Sequence, residues 1–83
     1  MALIVKKFGG SSVATPEKIR AVVQRVLKEK KTEDKIVIVV SAMGDTTDEL
    51  VTLAKRLTSK TYGREMDMLL ATGEQVSIAL MAM

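Results

Sequence analysis

The sequence predicts an α/β fold: a βαβ unit with parallel strands, followed by further helices. Two strand-like runs, Leu3 to Phe8 and the β-branched Ile36 to Val40, bracket an amphipathic stretch that opens with helix-start residues at Thr15 and Pro16. Strand, helix and strand over roughly 30 residues make a βαβ unit, with a right-handed crossover and parallel strands. Behind Val40 the apolar residues recur at helical spacing to the end of the chain.

In the first strand, Ile4 and Val5 are β-branched, and Gly9-Gly10 ends the run before Ser11-Ser12. Paired glycines let a backbone approach a ligand closely, and successive N–H groups in such a loop form an anion-binding concavity. Lys7 adds a compact positive charge, and the serines add small donors. These parts suit a phosphate, especially one whose charge is moving. A strand that merely ends in a glycine turn reads the same way, so the loop alone leaves both readings open. Walker A is excluded because no Gly-Lys pair exists in the chain. The dinucleotide fingerprint is excluded because Gly9-Gly10-Ser11-Ser12-Val13-Ala14 lacks its glycine spacing.

Thr15 is an N-cap residue, Pro16 favours the first helical position, and Glu17 faces the positive end of the helix dipole. Ile19, Val22, Val23, Val26 and Leu27 then form one apolar stripe. Lys28, Lys30 and Lys31 stand at the helix C-terminus, where cations are favoured. The run Ile36 to Val40 shows no alternation, as in a strand buried on both faces. Ligands of parallel sheets sit beyond the carboxyl ends of the strands. Both strands end there in polar, glycine-containing segments, Gly9 to Ser12 and Ser41 to Gly44. This convergence favours the ligand reading of the glycine loop.

Thr46-Thr47-Asp48-Glu49 fits a capping box, with Leu50, Leu53, Ala54 and Leu57 as the stripe behind it. Thr47 is therefore equally explained as part of a cap. Residues 58–63 form a loop by composition, and Arg64 to Ala71 a short helix. Thr72-Gly73-Glu74-Gln75 matches a second capping box, opening a last helix with Val76, Ala79, Leu80 and Met83 as its stripe. The methionines fall on or beside these stripes and read as core filler rather than metal ligands.

At 83 residues this is one small domain at most, burying only about 60–65% of its unfolded surface. Hydrophobic residues make up 47% of it, too rich for a disordered chain. Cysteine and histidine are absent, which excludes disulfides, thiolate zinc sites and catalysis by either residue. The net charge is +3, and the interleaved Lys28–Lys35 region, four lysines among three acids, reads as a solvated helix end and turn. Without a one-signed patch or stacking aromatics, no nucleic-acid partner is expected. Residues 1–5 are too short for a signal peptide, and no run approaches the roughly 20 apolar residues of a membrane span. A cytoplasmic location is the expectation.

The segments KFGGSSV, SAMGDTTDEL and REMDMLLATGEQVS occur in that order. Together they resemble the N-terminal part of aspartokinase, over essentially all 83 residues. KFGG alone is similar to loops of other amino-acid kinases, such as those for acetylglutamate and carbamate. REMD followed by TGEQ, after the SAMG and TTD segment, is what singles out aspartokinase. Ser11 stands where Thr is more usual, which keeps the hydroxyl.

The resemblance implies a partial amino-acid kinase (carbamate kinase-like) fold. It also implies ATP-dependent phosphorylation of the aspartate side-chain carboxylate to 4-phospho-L-aspartate, in lysine and threonine biosynthesis. Lys7 is then the catalytic cation, and Lys7, Gly9, Gly10 and Ser11 hold the phosphates of ATP. Ser41, Thr47 and Glu74 match substrate-side positions. Glu74 makes sense only toward the aspartate ammonium, since it would repel the carboxylates and ATP; an acid in a first helical turn is its structural alternative. Arg64 and Glu65 read as structural, an ion pair or a helix start. Mg-ATP is implied as a substrate of the longer enzyme, with no tightly bound cofactor and no metal ligand from this chain. Aspartokinases carry a catalytic domain several times longer, usually followed by ACT domains, and residues 1–83 contain neither the rest of that domain nor ACT domains. Two readings follow: a kinase segment inactive on its own, or a non-catalytic binding or oligomerisation module. In either, association with further copies through exposed apolar faces is expected.

Overall fold

In a computed structural model, residues 2–83 are described; Met1, counted above in the stretch too short for a signal peptide, lies outside them. Strand β1 (Leu3–Phe8) leads into a 3-10 turn (Gly10–Val13) and helix α1 (Pro16–Glu29). Strand β2 (Lys35–Val40), helix α2 (Thr46–Leu57) and helix α3 (Arg64–Ala82) follow. The strands pair in parallel, from Leu3 opposite Lys35 to Phe8 opposite Val40. The βαβ unit with parallel strands, followed by helices, is therefore as the sequence predicts, while the bounds of those helices differ.

Helix α1 begins as its residues dictate. The Thr15 hydroxyl accepts from the Lys18 backbone N–H at 3.2 Å, and Pro16 occupies the first turn. Ile19, Val22 and Val26 are buried, and Val13 of the preceding turn joins them in the core. Strand alternation then separates two adjacent lysines. Lys6 shares the half-buried face with Ile4 and Phe8, while Lys7 shares the exposed face with Leu3 and Val5. Lys6 is bonded to Glu29 at the far end of α1, and Arg25 Nε approaches the same carboxylate at 3.2 Å.

Strand β2 is not buried on both faces. Ile36, Ile38 and Val40 are half-buried, while Val37 and Val39 are exposed. The cause is depth: the molecule measures 50 × 25 × 17 Å, and no second layer of the described residues lies over that face. Leu3, Val5, Val37 and Val39 form an open apolar band.

The capping box expected at Thr46 is not formed. The helix starts one residue earlier than that box requires, with Asp45 at the N-cap and no side-chain cap bond. Gly44, at φ +50°, provides the turn before it. Leu50 and Ala54 are half-buried, but Leu53 is open and Leu57 is 85% exposed, so only Leu50 and Ala54 of the expected stripe pack.

The larger correction is α3, a single helix where two were expected. The Thr72 hydroxyl donates to the Leu69 carbonyl at 2.6 Å, within the helix, instead of capping a new one. Gly73 stays helical and is buried where α3 crosses the start of α2. The packed face of α3 is accordingly Met66, Leu70, Gly73, Ser77 and Met81. Val76, Ala79, Leu80 and Met83 are exposed, contrary to the expected stripe, and Met68 and Met83 are not core filler. Arg64 opens the helix as a plain start residue and forms no ion pair among the described residues.

The bond from Lys6, and secondly that from Arg25, holds the Glu29 carboxyl below its ordinary pKa of 4.5. A depressed folded-state pKa means the pair stabilises the chain fully above the unfolded value and loses that contribution as pH falls through the folded one. Glu29→Gln is expected to lower the thermal midpoint at neutral pH. The two melting curves should converge as pH falls below 4.5. An equal deficit at all pH values would show that Glu29 acts through packing alone.

Candidate functional site

The glycine loop and the loop after β2 are fastened to each other at the carboxyl edge of the sheet. The Ser41 N–H donates to the Phe8 carbonyl at 3.1 Å, and the Gly44 N–H to the Gly10 carbonyl at 2.9 Å. Gly10 must lack a side chain: a Cβ there would lie 2.9 Å from the Ala42 carbonyl oxygen and 3.0 Å from that of Gly44. Gly9 is different, because a Cβ there would meet nothing within 4 Å. Gly10 thus serves packing between loops, and Gly9 leaves free space on the open side.

Lys7 projects from the open face of the sheet on the last residues of β1. Ser11 is exposed in the 3-10 turn, where the Ser12 N–H donates to the Gly9 carbonyl at 3.1 Å. The Lys18 ammonium donates to the Ser11 carbonyl at 3.2 Å, and Ser11, Ser12, Lys18 and Arg25 line one open groove of about 400 Å³. Lys18 had no signal of its own in the sequence, since its role depends on the first turn of α1 folding back over the loop.

The structure places Ser41, Thr47 and Glu74 on three elements that meet. A Cβ at Gly73 would stand 3.0 Å from Thr46 Cγ2, 3.2 Å from Ala42 Cβ and 3.3 Å from Leu50 Cδ1. Each candidate residue directly follows or precedes a member of this contact: Ser41 beside Ala42, Thr47 beside Thr46, Glu74 beside Gly73. Ala42 belongs to both this contact and the one with Gly10. Ala42 thus lies between the glycine loop and the contact beside which Ser41, Thr47 and Glu74 stand.

Two structural alternatives fall away. Thr47 lies inside the first turn of α2, with no cap bond to its name, and Glu74 lies mid-helix rather than in a first turn. Both are exposed, and neither side chain is hydrogen-bonded among the described residues. No group of three acidic side chains suited to hold a metal ion occurs among the described residues. The arrangement brings the cations Lys7 and Lys18 and the donors of the glycine loop to elements next to those that carry the Ser41 and Thr47 hydroxyls and the Glu74 carboxylate.

The profile of the Amino acid kinase family matches residues 2–83. Over its full length the chain is 60% identical to an aspartokinase of Bacillus sp. (strain MGA3) and 59% identical to one of Geobacillus stearothermophilus. It is 54% identical to an aspartokinase of Mycobacterium tuberculosis (strain ATCC 25618 / H37Rv). The chain spans only 20% of the length of each of these relatives. It also matches the crystal structure of aspartate kinase from Synechocystis at a TM-score of 0.90 and 56% identity, over 96% of this chain and 14% of that one.

The two loop glycines should respond differently to a methyl group. Gly10→Ala forces two carbonyls apart, and overpacking of this kind costs about 1–3 kcal/mol. Gly9→Ala adds a methyl in open space at a backbone angle of φ −78°, and should change stability by less than about 0.5 kcal/mol. Urea unfolding of both variants measures the difference; equal losses would mean the loops are not packed through Gly10.

Proposed function

The chain belongs to the amino acid kinase family, and from that premise we propose that it forms the phosphate-and-aspartate edge of an aspartate kinase site. The reaction is transfer of the γ-phosphoryl group of ATP to the aspartate side-chain carboxylate, giving 4-phospho-L-aspartate and ADP. The observation that carries this reading is the junction at Ala42, which holds the glycine loop against the elements bearing Ser41, Thr47 and Glu74.

The chemistry asks little in the way of proton transfer. A carboxylate oxygen is already a nucleophile: it attacks the γ-phosphorus as the bond to the β–γ bridging oxygen breaks, and ADP leaves with that electron pair. What must be supplied is suppression of the repulsion between two anions and stabilisation of the transferring group. Lys7 stands clear of the Lys6–Glu29 pair and is available to the phosphates. Gly9, Gly10 and Ser11 contribute backbone and hydroxyl donors. Glu74 faces the substrate ammonium, and the hydroxyls of Ser41 and Thr47 orient its carboxylates. Magnesium enters with ATP as part of the substrate, and no tightly bound cofactor is invoked.

The adenine and ribose subsite belongs to chain outside these 83 residues, in keeping with relatives about five times longer. The isolated chain therefore turns over no aspartate. No helix among the described residues is long and apolar enough to cross a membrane. A cytoplasmic place in lysine and threonine biosynthesis completes the proposal.

One observation favours a second reading, that of a non-catalytic association module. Leu3, Val5, Val37 and Val39 are 70%, 65%, 47% and 44% exposed on one face. Parallel sheets are found almost only with both faces covered. For the isolated chain, the available cover is a second copy. Sedimentation equilibrium at micromolar concentration should show a dimer or larger species, and Val5→Lys with Val37→Lys should return it to monomer. A folded monomer at these concentrations would overturn this reading.

The kinase reading is tested by grafting residues 2–83 in place of the matching fifth of the Geobacillus stearothermophilus aspartokinase. The chimera should form hydroxamate-trappable aspartyl phosphate, and the isolated chain should form none. In the chimera, Lys7→Met should lower kcat at least ~100-fold with a smaller effect on apparent ATP affinity, the scale for one preorganised donor to a developing charge. An active chimera indifferent to Lys7 would overturn the assignment.

A further inference from the structure

We propose that Ala42 is a positioning residue that spaces the two halves of the site, serving each half through a different atom. The proposal rests on the aspartate kinase reading and deepens it. Ala42 is 3% exposed and directly follows Ser41. Its carbonyl oxygen is packed by Gly10, at 2.9 Å from where a Cβ of residue 10 would stand. Its methyl group is packed by Gly73, at 3.2 Å from where a Cβ of residue 73 would stand. Both neighbours are glycine, so the glycine loop, the loop after β2 and helix α3 approach with no side chain between the outer two and residue 42.

The consequence is a separation of roles within one residue. Substitution at position 42 changes the side chain but leaves the carbonyl that Gly10 packs against. A larger side chain there pushes on Gly73 and thus on α3, a rigid rod that carries Glu74 as the next residue. Close-packed contacts transmit such a push rather than absorbing it. A displacement of about 1 Å in a substrate-positioning group can cost on the order of 100-fold in rate. The glycine loop, by contrast, is held through backbone: the Gly44 N–H bond to the Gly10 carbonyl and the Ser12 N–H bond to the Gly9 carbonyl are untouched.

A residue that only fills space would lower stability or the active fraction without separating the two substrates. The expected pattern in the chimera is selective. Ala42→Val and Gly73→Ala should each raise the aspartate KM at least ~10-fold while the ATP KM stays within about two-fold. Gly10→Ala, which presses on the carbonyl side, should do the reverse. Adding Ala42→Gly to Gly73→Ala removes one of the three opposing groups, with Thr46 Cγ2 and Leu50 Cδ1 left in place, and should recover part of the aspartate KM. Parallel rises of both KM values, or unchanged KM values in variants with lowered thermal midpoints, would overturn the proposal.

An inactive wild-type chimera would instead count against the kinase reading, and the spacing can still be read in the 83-residue chain itself. In its amide NMR spectrum, Gly73→Ala should shift resonances of residues 46–50 and 74 and leave those of Gly9, Gly10 and Ser12 in place. Shifts of equal size in the glycine loop would show that the two halves are not separately held, and would overturn the proposal.

Discussion

The fold depends on three chain segments meeting at Ala42, where Gly10 and Gly73 contribute no side chain. The glycine loop reaches residue 42 through Gly10, and helix α3 reaches it through Gly73. Helix propensity alone argues against Gly73, since a mid-helix glycine costs about 1 kcal/mol relative to alanine. The packing it permits offsets that cost: Thr46, Ala42 and Leu50 all lie at distances a methyl group at residue 73 would violate. Ser77, one turn further along the same face, is fully buried and again small, and its hydroxyl has no hydrogen-bond partner among the described residues. Small residues at this crossing bring α3 onto the core of the βαβ unit, and the rest of the helix follows as a rod.

A second constraint is the two-residue period of β1. Lys6 and Lys7 are chemically identical and adjacent, yet the strand sends them to opposite faces. Lys6 is committed to Glu29 and ties the last turn of α1 to the sheet. Lys7 shares its face with the apolar band of Leu3, Val5, Val37 and Val39. The exposed band and the candidate catalytic cation are thus neighbours on one surface. Any cover laid on that band also changes the water around Lys7, so the apolar surface and the site cannot be completed independently.

Elements whose signals are local were legible in the sequence. Thr15 and Pro16 start α1 because their side chains act within one turn, and Gly9-Gly10 ends β1 for the same reason. The meeting of the two loops at the carboxyl edge was also legible, from two polar glycine segments following two parallel strands. The errors occur where a local signal competes with a distant contact. Thr72 to Gln75 satisfies a capping box on paper, but the hydroxyl is used inside the helix and Gly73 is claimed by α2. The β-branched run of β2 looks the same whether one face or both are covered, and that is decided by how much chain is available to lie over it. Ala42 and Lys18 carried no signal at all: an alanine after a strand and a lysine in a helix's first turn become meaningful only once the glycine loop folds beside them.

The composition of the site fits the demands of the proposed reaction. With no histidine and no cysteine, the chain has neither of the side chains most used for general base or nucleophilic work near neutral pH. Attack by a carboxylate on a phosphoryl group needs neither, because the nucleophile arrives deprotonated. The work left to the protein is electrostatic and geometric: a cation, donors directed at phosphoryl oxygens, and a partner for an ammonium group. Donors of that kind come from backbone and small hydroxyl side chains, which have little reach and no room to adjust. Their placement is therefore set by how closely the main chains pass one another. In the proposed site the spacing at a backbone crossing is therefore part of the design, and Gly10, Ala42 and Gly73 set it although none of them carries a reactive group.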